Sequence, residues 1–281
     1  MDFPVTSGVN GLERIVVNTR DAQGEVYLQG AHVTSWHPTG RKPVLWMSGQ
    51  SLFDSAKPIR GGIPVCFPWF GPHPSDSKKP AHGTARIQKW IPVKSRWTAE
   101  GVAELVLESQ LAPFDVQLHI RMGQALELRM STRLAAQEKR AVHIEQALHT
   151  YFCVTDVRNI EIRGLENCQY IDKMLQARRC EPTRRPITFG QETDRVYFNT
   201  KDTVEIHDSG DGRQIMIEKS GSLSTVVWNP WIDKSRRMPD FGDSEWPQMV
   251  CVETANVADN RVLLAPGDVH EMTLRVTVKD H

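Results

Sequence analysis

The chain has 281 residues, 40% hydrophobic and 24% charged, with 34 basic and 34 acidic side chains and a net charge of zero. That composition supports a packed core and excludes a disordered chain. The even balance leaves no footprint for nucleic acid or an anionic membrane, so any anionic partner has to be held by a local cluster of positive groups.

The first residues, MDFPVTSGVNGLERI, contain neither a basic stretch nor an apolar one, so no signal peptide is expected. No apolar run approaches the ~18 residues a membrane span needs. Cys66, Cys153, Cys168, Cys180 and Cys251 are odd in number and form no CxxC pair. Three of them lie in apolar segments, where cysteine is usually a small buried hydrophobe. A reducing, cytoplasmic setting is expected.

From there the dominant period is two. GEVYLQGAHVTSWHP alternates, and the pattern returns in AELVLES, in FDVQLHIRM and ALELRMSTRL, in VHIEQALHTYFCV, and in VEIHD, RQIMIEKS, STVVWN, MVCVE and MTLRVTVK. These read as short strands separated by turn residues. FDVQLHIRM-GQ-ALELRMSTRL and VEIHDSGDGRQIMIEKS read as hairpins in which glycine supplies the turn. One helical turn each is expected in DSAKPIR and DFGDSEWPQ, and no long amphipathic helix. Many strands without interleaved helices predict an all-β chain: a large antiparallel β-sandwich, one domain over residues 1–281. Between the strands run three loops: PIRGGIPVCFPWFGP (58–72), KKPAHGTAR and QARRCEPTRRPITFGQETDR. Long loops on a rigid sheet are where function concentrates.

Several familiar signals fail. DFG at residues 240–242 has no Gly-rich phosphate loop, VAIK-like strand or HRD loop to accompany it. His143 and His149 are not an HExxH pair. On one strand an offset of six would leave them about 20 Å apart, beyond the reach of one metal. The ten histidines show no ligand spacing, and no metal is predicted.

Four segments combine chain breakers, charge and aromatics: the first loop with Arg60; AHGTARIQKW with His82, Arg86 and Trp90; EQALHTYF with His149; and VCVETANV with Glu253. Each residue alone has a plain structural reading: a loop arginine capping a carbonyl, a satisfied strand histidine, a solvated glutamate at a strand end. Asp194 alone is a turn residue or a partner for Arg195. Among the tryptophans, Trp36 and Trp228 are expected in the core and Trp69 is a candidate pocket wall.

Together, PIRGGIPVCFPWFGP, HGTAR, ALHTYF, DRVY, VVWNPW and VETANV resemble the aldose 1-epimerase-like superfamily, and within it the hexose-6-phosphate mutarotases. The resemblance runs from GAHVTSWHP near residue 30 to VLLAPGD near residue 266. One departure is Ala81, where that family often has Gln before the HG of HGxAR. The resemblance implies a galactose mutarotase-type sandwich, with His149 and Glu253 catalytic and no cofactor. It also implies that Asp194 and His82 contact the sugar, that Arg60 and Arg86 hold its phosphate, and that a monomer acts on a small sugar phosphate, glucose 6-phosphate first. The resemblance further implies Glu253 as the base at the C1 hydroxyl and His149 as the acid at the ring oxygen, roles that their reference pKa values suit. Two alternatives stay open: the same chemistry on free aldoses, and a carbohydrate-binding module without catalysis.

Overall fold

The structure, a computed structural model, describes residues 2–280. Two eight-stranded antiparallel sheets carry the chain. One runs in the order Arg178–Cys180, Tyr170–Asp172, Thr193–Phe198, Ser224–Asn229, Met249–Asn256, Gln146–Leu148 and Val65–Cys66, with Tyr151–Cys153 also paired to Met249–Asn256. The other runs Ile160–Arg163, Val204–Asp208, Arg213–Ser220, Val269–Asp280, Leu126–Leu134, Phe114–Met122, Ala103–Leu111 and Ile91–Trp97. A four-stranded sheet of N-terminal strands, Val5–Ser7 to His32–Pro38, and a short pair, Val142–Ile144 with Val262–Leu264, complete the architecture.

The period-two pattern does what it predicts. In Phe114–Met122 and Leu126–Leu134 the even-numbered residues are buried, and the two strands pair from Phe114 with Leu134 to Met122 with Leu126 around Gly123–Ala125. The second expected hairpin forms between Val204–Asp208 and Arg213–Ser220. Leu118, Ile120, Leu128 and Leu274 of one sheet join Leu148, Val227, Val250 and Val252 of the other in one apolar core. Burying such side chains contributes roughly 1.5–3 kcal/mol each. All five cysteines are unbridged.

Two expectations need correction. DSAKPIR forms no helix, while Trp231–Arg237 forms the α-helix the alternation did not announce; DFGDSEWPQ does hold a short 3-10 turn, Trp246–Gln248. VHIEQALHTYFCV is three strands rather than one: Val142–Ile144 pairs with Val262–Leu264, and Gln146–Leu148 and Tyr151–Cys153 both pair with Met249–Asn256. His149 and Thr150 form the break between the last two. Alternation cannot reveal such a break, because the flanking residues keep their buried faces.

The glycines after Arg60 answer to the fold. They make room for neighbouring backbone. A Cβ on Gly62 (φ +58°) would meet the Val33 carbonyl oxygen at 2.2 Å, and one on Gly61 would meet Met47 Cα at 2.6 Å. The Gly62 N–H donates to Trp46 O (2.8 Å), and the Tyr151 N–H donates to Gly62 O (2.9 Å). Gly83 is tighter still. At φ +77° its added Cβ would lie 1.9 Å from the Phe67 carbonyl oxygen, to which Thr84 and Ala85 both donate. Left-handed backbone and a collision with fixed backbone add. Gly83→Ala is therefore expected to destabilise the protein by at least about 2 kcal/mol in urea unfolding, more than Gly40→Ala, where the added Cβ has nothing within 4 Å.

Candidate active site

The outer face of the first large sheet becomes a site because its strands are buried on both sides. All eight residues of Met249–Asn256 are buried. Val250 and Val252 face the core, while Glu253 and Ala255 face the other way. In the register, Glu253 lies beside Val226, Val226 beside Val196, and Trp228 beside Asp194. Glu253 is thus in mid-strand at 1% exposure, not a solvated strand end. Loops close around this face to leave a cavity of about 660 Å³, within the usual range for small-ligand sites.

All six residues singled out in the sequence, Arg60, His82, Arg86, His149, Asp194 and Glu253, line this cavity. His149 reaches it from the break between its two short strands. Its Nε2 stands 3.3 Å from Glu253 Oε1. His149 Nδ1 and Glu253 Oε2 are buried without a partner. The imidazole stacks on the Tyr151 ring (4.8 Å, 12° between planes) and meets Trp228 edge-on at 6.0 Å.

Burial pushes the Glu253 carboxyl well above the usual carboxylate range; Lys173 and Arg86 oppose the rise and Asp194 adds to it. Burial also pushes His149 well below the usual imidazole value, helped by His82, Arg86 and Arg60. Both shifts run against reference pKa values: burial favours the protonated carboxyl and the neutral imidazole.

His82 sits at φ +63°, its N–H donating to Gly71 O (2.7 Å) and its ring edge-on to Phe70 at 4.6 Å. Its pKa is held down at about 3, by burial first and then by Arg86 and Lys173. Ala177 and Ala258, also on the cavity wall, share this left-handed conformation. Strained backbone of this kind clusters at functional sites. Glu145 clamps two walls together: it accepts from the N–H of Phe70 (3.0 Å) and of Ala258 (2.8 Å).

Four cations line the cavity: Arg60, Arg86, Lys173 and Lys234. Arg60 donates through Nε (3.2 Å) and Nη2 (3.0 Å) to Asp240, and through Nη1 to the Tyr151 hydroxyl (2.9 Å). Lys173 pairs with Asp194 (3.0 Å) and Lys234 with Glu192 (3.0 Å). Arg86 donates to Ala81 O (2.7 Å), and its Nε is buried without a partner. Among the described residues it is the one lining cation with no carboxylate at ion-pair distance.

Sequence reasoning missed Lys173 and Lys234, which sit in a short 3-10 turn and in the unannounced helix. It also placed the tryptophans imperfectly. Trp36 and Trp228 are both in the buried core as expected, and Trp228 also lines the cavity. Trp69 is not on its wall; its indole N–H donates to Pro80 O and its ring meets His73.

Residues 13–277 match the aldose 1-epimerase family. Relatives named "Putative glucose-6-phosphate 1-epimerase" include one from Escherichia coli K12, 35% identical over 267 residues (92% of this chain, 88% of the relative), and one from Cenchrus ciliaris, 32% identical over 275 residues (92% and 82%). A crystal structure described as a "putative mutarotase" from Salmonella typhimurium superposes with a TM-score of 0.89 at 28% identity, covering 100% of this chain and 98% of that one. A galactose mutarotase-like protein from Clostridium acetobutylicum shares the fold, with a TM-score of 0.71 at 13% identity and coverage of 99% and 98%. The protein is an all-β sandwich of the galactose mutarotase type, and it belongs to the aldose 1-epimerase family.

Beneath the site, fully buried His32 holds the arginine loop through a 2.8 Å contact from Nε2 to Gly61 O. Burial, with Arg86 and Arg60, lowers its pKa to about 4. The unfolded chain takes up this proton near pH 6.5, the folded chain only near 4. Stability is therefore full above about pH 6.5 and falls as pH drops toward 4, by on the order of 3 kcal/mol for this group. Urea unfolding across that window is expected to show the loss, and His32→Gln to make it shallower.

Proposed function

We propose that the protein is a glucose-6-phosphate 1-epimerase, interconverting the α and β anomers of hexose 6-phosphates. The observation that supports it best is the His149–Glu253 pair. An acid–base couple at 3.3 Å, with one nitrogen and one oxygen unpartnered, opens on a sugar-sized cavity that also holds an unpaired arginine.

The reaction needs two proton transfers and a rotation. A base takes the C1 hydroxyl proton while the C1–O5 bond breaks and an acid protonates O5. The open aldehyde turns about C1–C2 and closes with both transfers reversed. Each group must therefore act as acid and as base over a full cycle. Glu253 takes the C1 hydroxyl proton and His149 serves O5. Asp194 and His82 hydrogen-bond sugar hydroxyls. Arg86 binds the phosphate with its free charge and unpartnered Nε. Arg60, already fixed by Asp240 and Tyr151, adds its remaining N–H groups.

The phosphate also acts on the proton. It brings roughly −1.5 to −2 charge next to the two arginines whose field helps hold His149 deprotonated. Neutralising that field raises the imidazole's proton affinity, which favours His149 as the acid and Glu253 as the base.

Anomer exchange of glucose 6-phosphate, followed by NMR, tests this. Glu253→Gln and His149→Asn are each expected to lower kcat by about 10²–10⁴. Arg86→Ala is expected to raise KM by about 10–100-fold through loss of a charge-assisted contact. Free glucose, lacking the phosphate, is expected to show a lower kcat as well as a higher KM. Ligand binding without accelerated exchange by the wild type would replace this reading with a binding module.

A further inference from the structure

We infer that Tyr151 is a positioning residue that ties the phosphate end of the site to the acid–base end. The inference rests on the epimerase reading above and adds a residue that the sequence motifs left unassigned.

Tyr151 does two separate things. Its ring lies flat against His149, 4.8 Å away and 12° from parallel. Its hydroxyl accepts from Arg60 Nη1 at 2.9 Å. The ring is itself fixed, stacked on Trp46 at 5.7 Å and edge-on to Trp228 at 6.0 Å, with 1% of the residue exposed. The backbone ties the same two ends. The Tyr151 N–H donates to Gly62 O in the arginine loop, and Tyr151 pairs with Cys251, two residues before Glu253 on the same strand.

A hexose 6-phosphate is a ruler of nearly fixed length between its C1–O5 end and its phosphorus. A site that reads both ends must hold its two poles at a matching separation, because mismatch sacrifices either binding or alignment. Arg60 has a long side chain with large rotamer freedom, and one carboxylate, Asp240, grips one side of its guanidinium. The phenol hydroxyl grips the other. The guanidinium plane is thereby referred to the same rigid ring that sets the plane of His149. Preorganisation of this kind lowers the ordering entropy that binding must overcome.

Tyr151→Phe keeps the ring and the stack on His149 and removes the Arg60 contact alone. The experiment measures Kd for glucose 6-phosphate by calorimetry, and kcat and KM for anomer exchange by NMR. Wild type, Tyr151→Phe, Arg60→Ala and the double variant are compared. Tyr151→Phe is expected to raise Kd and KM by about 10–100-fold, the range for losing one hydrogen bond to a charged group, and to lower kcat by less than about twofold. The double variant is expected to bind within about twofold of Arg60→Ala, because the hydroxyl acts through that guanidinium. Asp240→Asn, which loosens the same guanidinium from its other side, is expected to raise Kd in the same direction.

An unchanged Kd in Tyr151→Phe overturns the inference. So do effects of Tyr151→Phe and Arg60→Ala that multiply, or a fall in kcat as large as the rise in KM. A wild type that shows the coupling in its affinities but does not accelerate exchange overturns the epimerase reading and leaves the Tyr151–Arg60 link standing.

Discussion

The site depends on a carboxyl group and an imidazole held 3.3 Å apart where neither reaches bulk water. Burying ionisable groups favours their neutral forms, and a lone buried carboxylate would be expensive. This pair meets the constraint by sharing: one proton between two groups leaves no net charge, and either partner can hold it. A surface glutamate and histidine would titrate at ordinary values and lose their mutual geometry to solvent. The fold avoids that by setting Glu253 in the middle of a strand whose other face is core. Val250 and Val252 therefore support the site indirectly, since the packing that holds the strand holds the carboxyl.

The same burial explains how the cavity's charge is arranged. Four cations around a small hollow repel one another, and three of them are matched: Arg60 with Asp240, Lys173 with Asp194, Lys234 with Glu192. Arg86 is left over. A chain with zero net charge has no long-range field to gather anions, so selectivity has to come from this local surplus. The paired cations are not idle, because an ion pair can reorient toward a ligand while a neutral donor supplies less. Lys173 links both functions. It stands against Asp194 and over the Phe70 ring, and its field acts on Glu253.

Much of this was legible before any coordinates. Side-chain alternation announces the two sheets, because a strand covered on one face must alternate whatever its partners are. The six site residues were legible from motif resemblance, not from alternation; Asp194 and Glu253 obey the same period as the core valines around them. What stayed hidden depends on pairing across the sheet or on chain breaks. Trp228 reads as core because tryptophan is a common core residue, and it is buried there, but only its register beside Asp194 shows that it also walls the cavity. His149 looked like a strand residue because the break at 149–150 leaves the alternation intact. Lys173 and Lys234 do not stand out in the sequence, because the turn and helix that carry them have no distinctive pattern. Tyr151 and His32 do not stand out in the sequence either. A buried polar ring declares its partner only once the chain has folded back, here over 91 residues to Arg60 and 29 to Gly61.

The rigid loop around Arg60 illustrates how such a site is built from requirements of the fold. Gly61 and Gly62 are demanded by backbone packed against backbone at Met47 and Val33, and the hydrogen bonds of Trp46, Ile63 and Tyr151 sew the loop into the sheets. None of that concerns a ligand. Arg60 emerges from this weave with its main chain immobile and its N–H bonded to Ser51 Oγ. Only its side chain remains to be ordered, which Asp240 and Tyr151 do. On the proposed function, an anion arriving at Arg60 and Arg86 meets groups already in place and changes the field at His149 without moving any backbone. Substrate identity is then read as charge, and the reading acts on the proton that the reaction moves. A neutral sugar of the same shape lacks the charge that acts on His149.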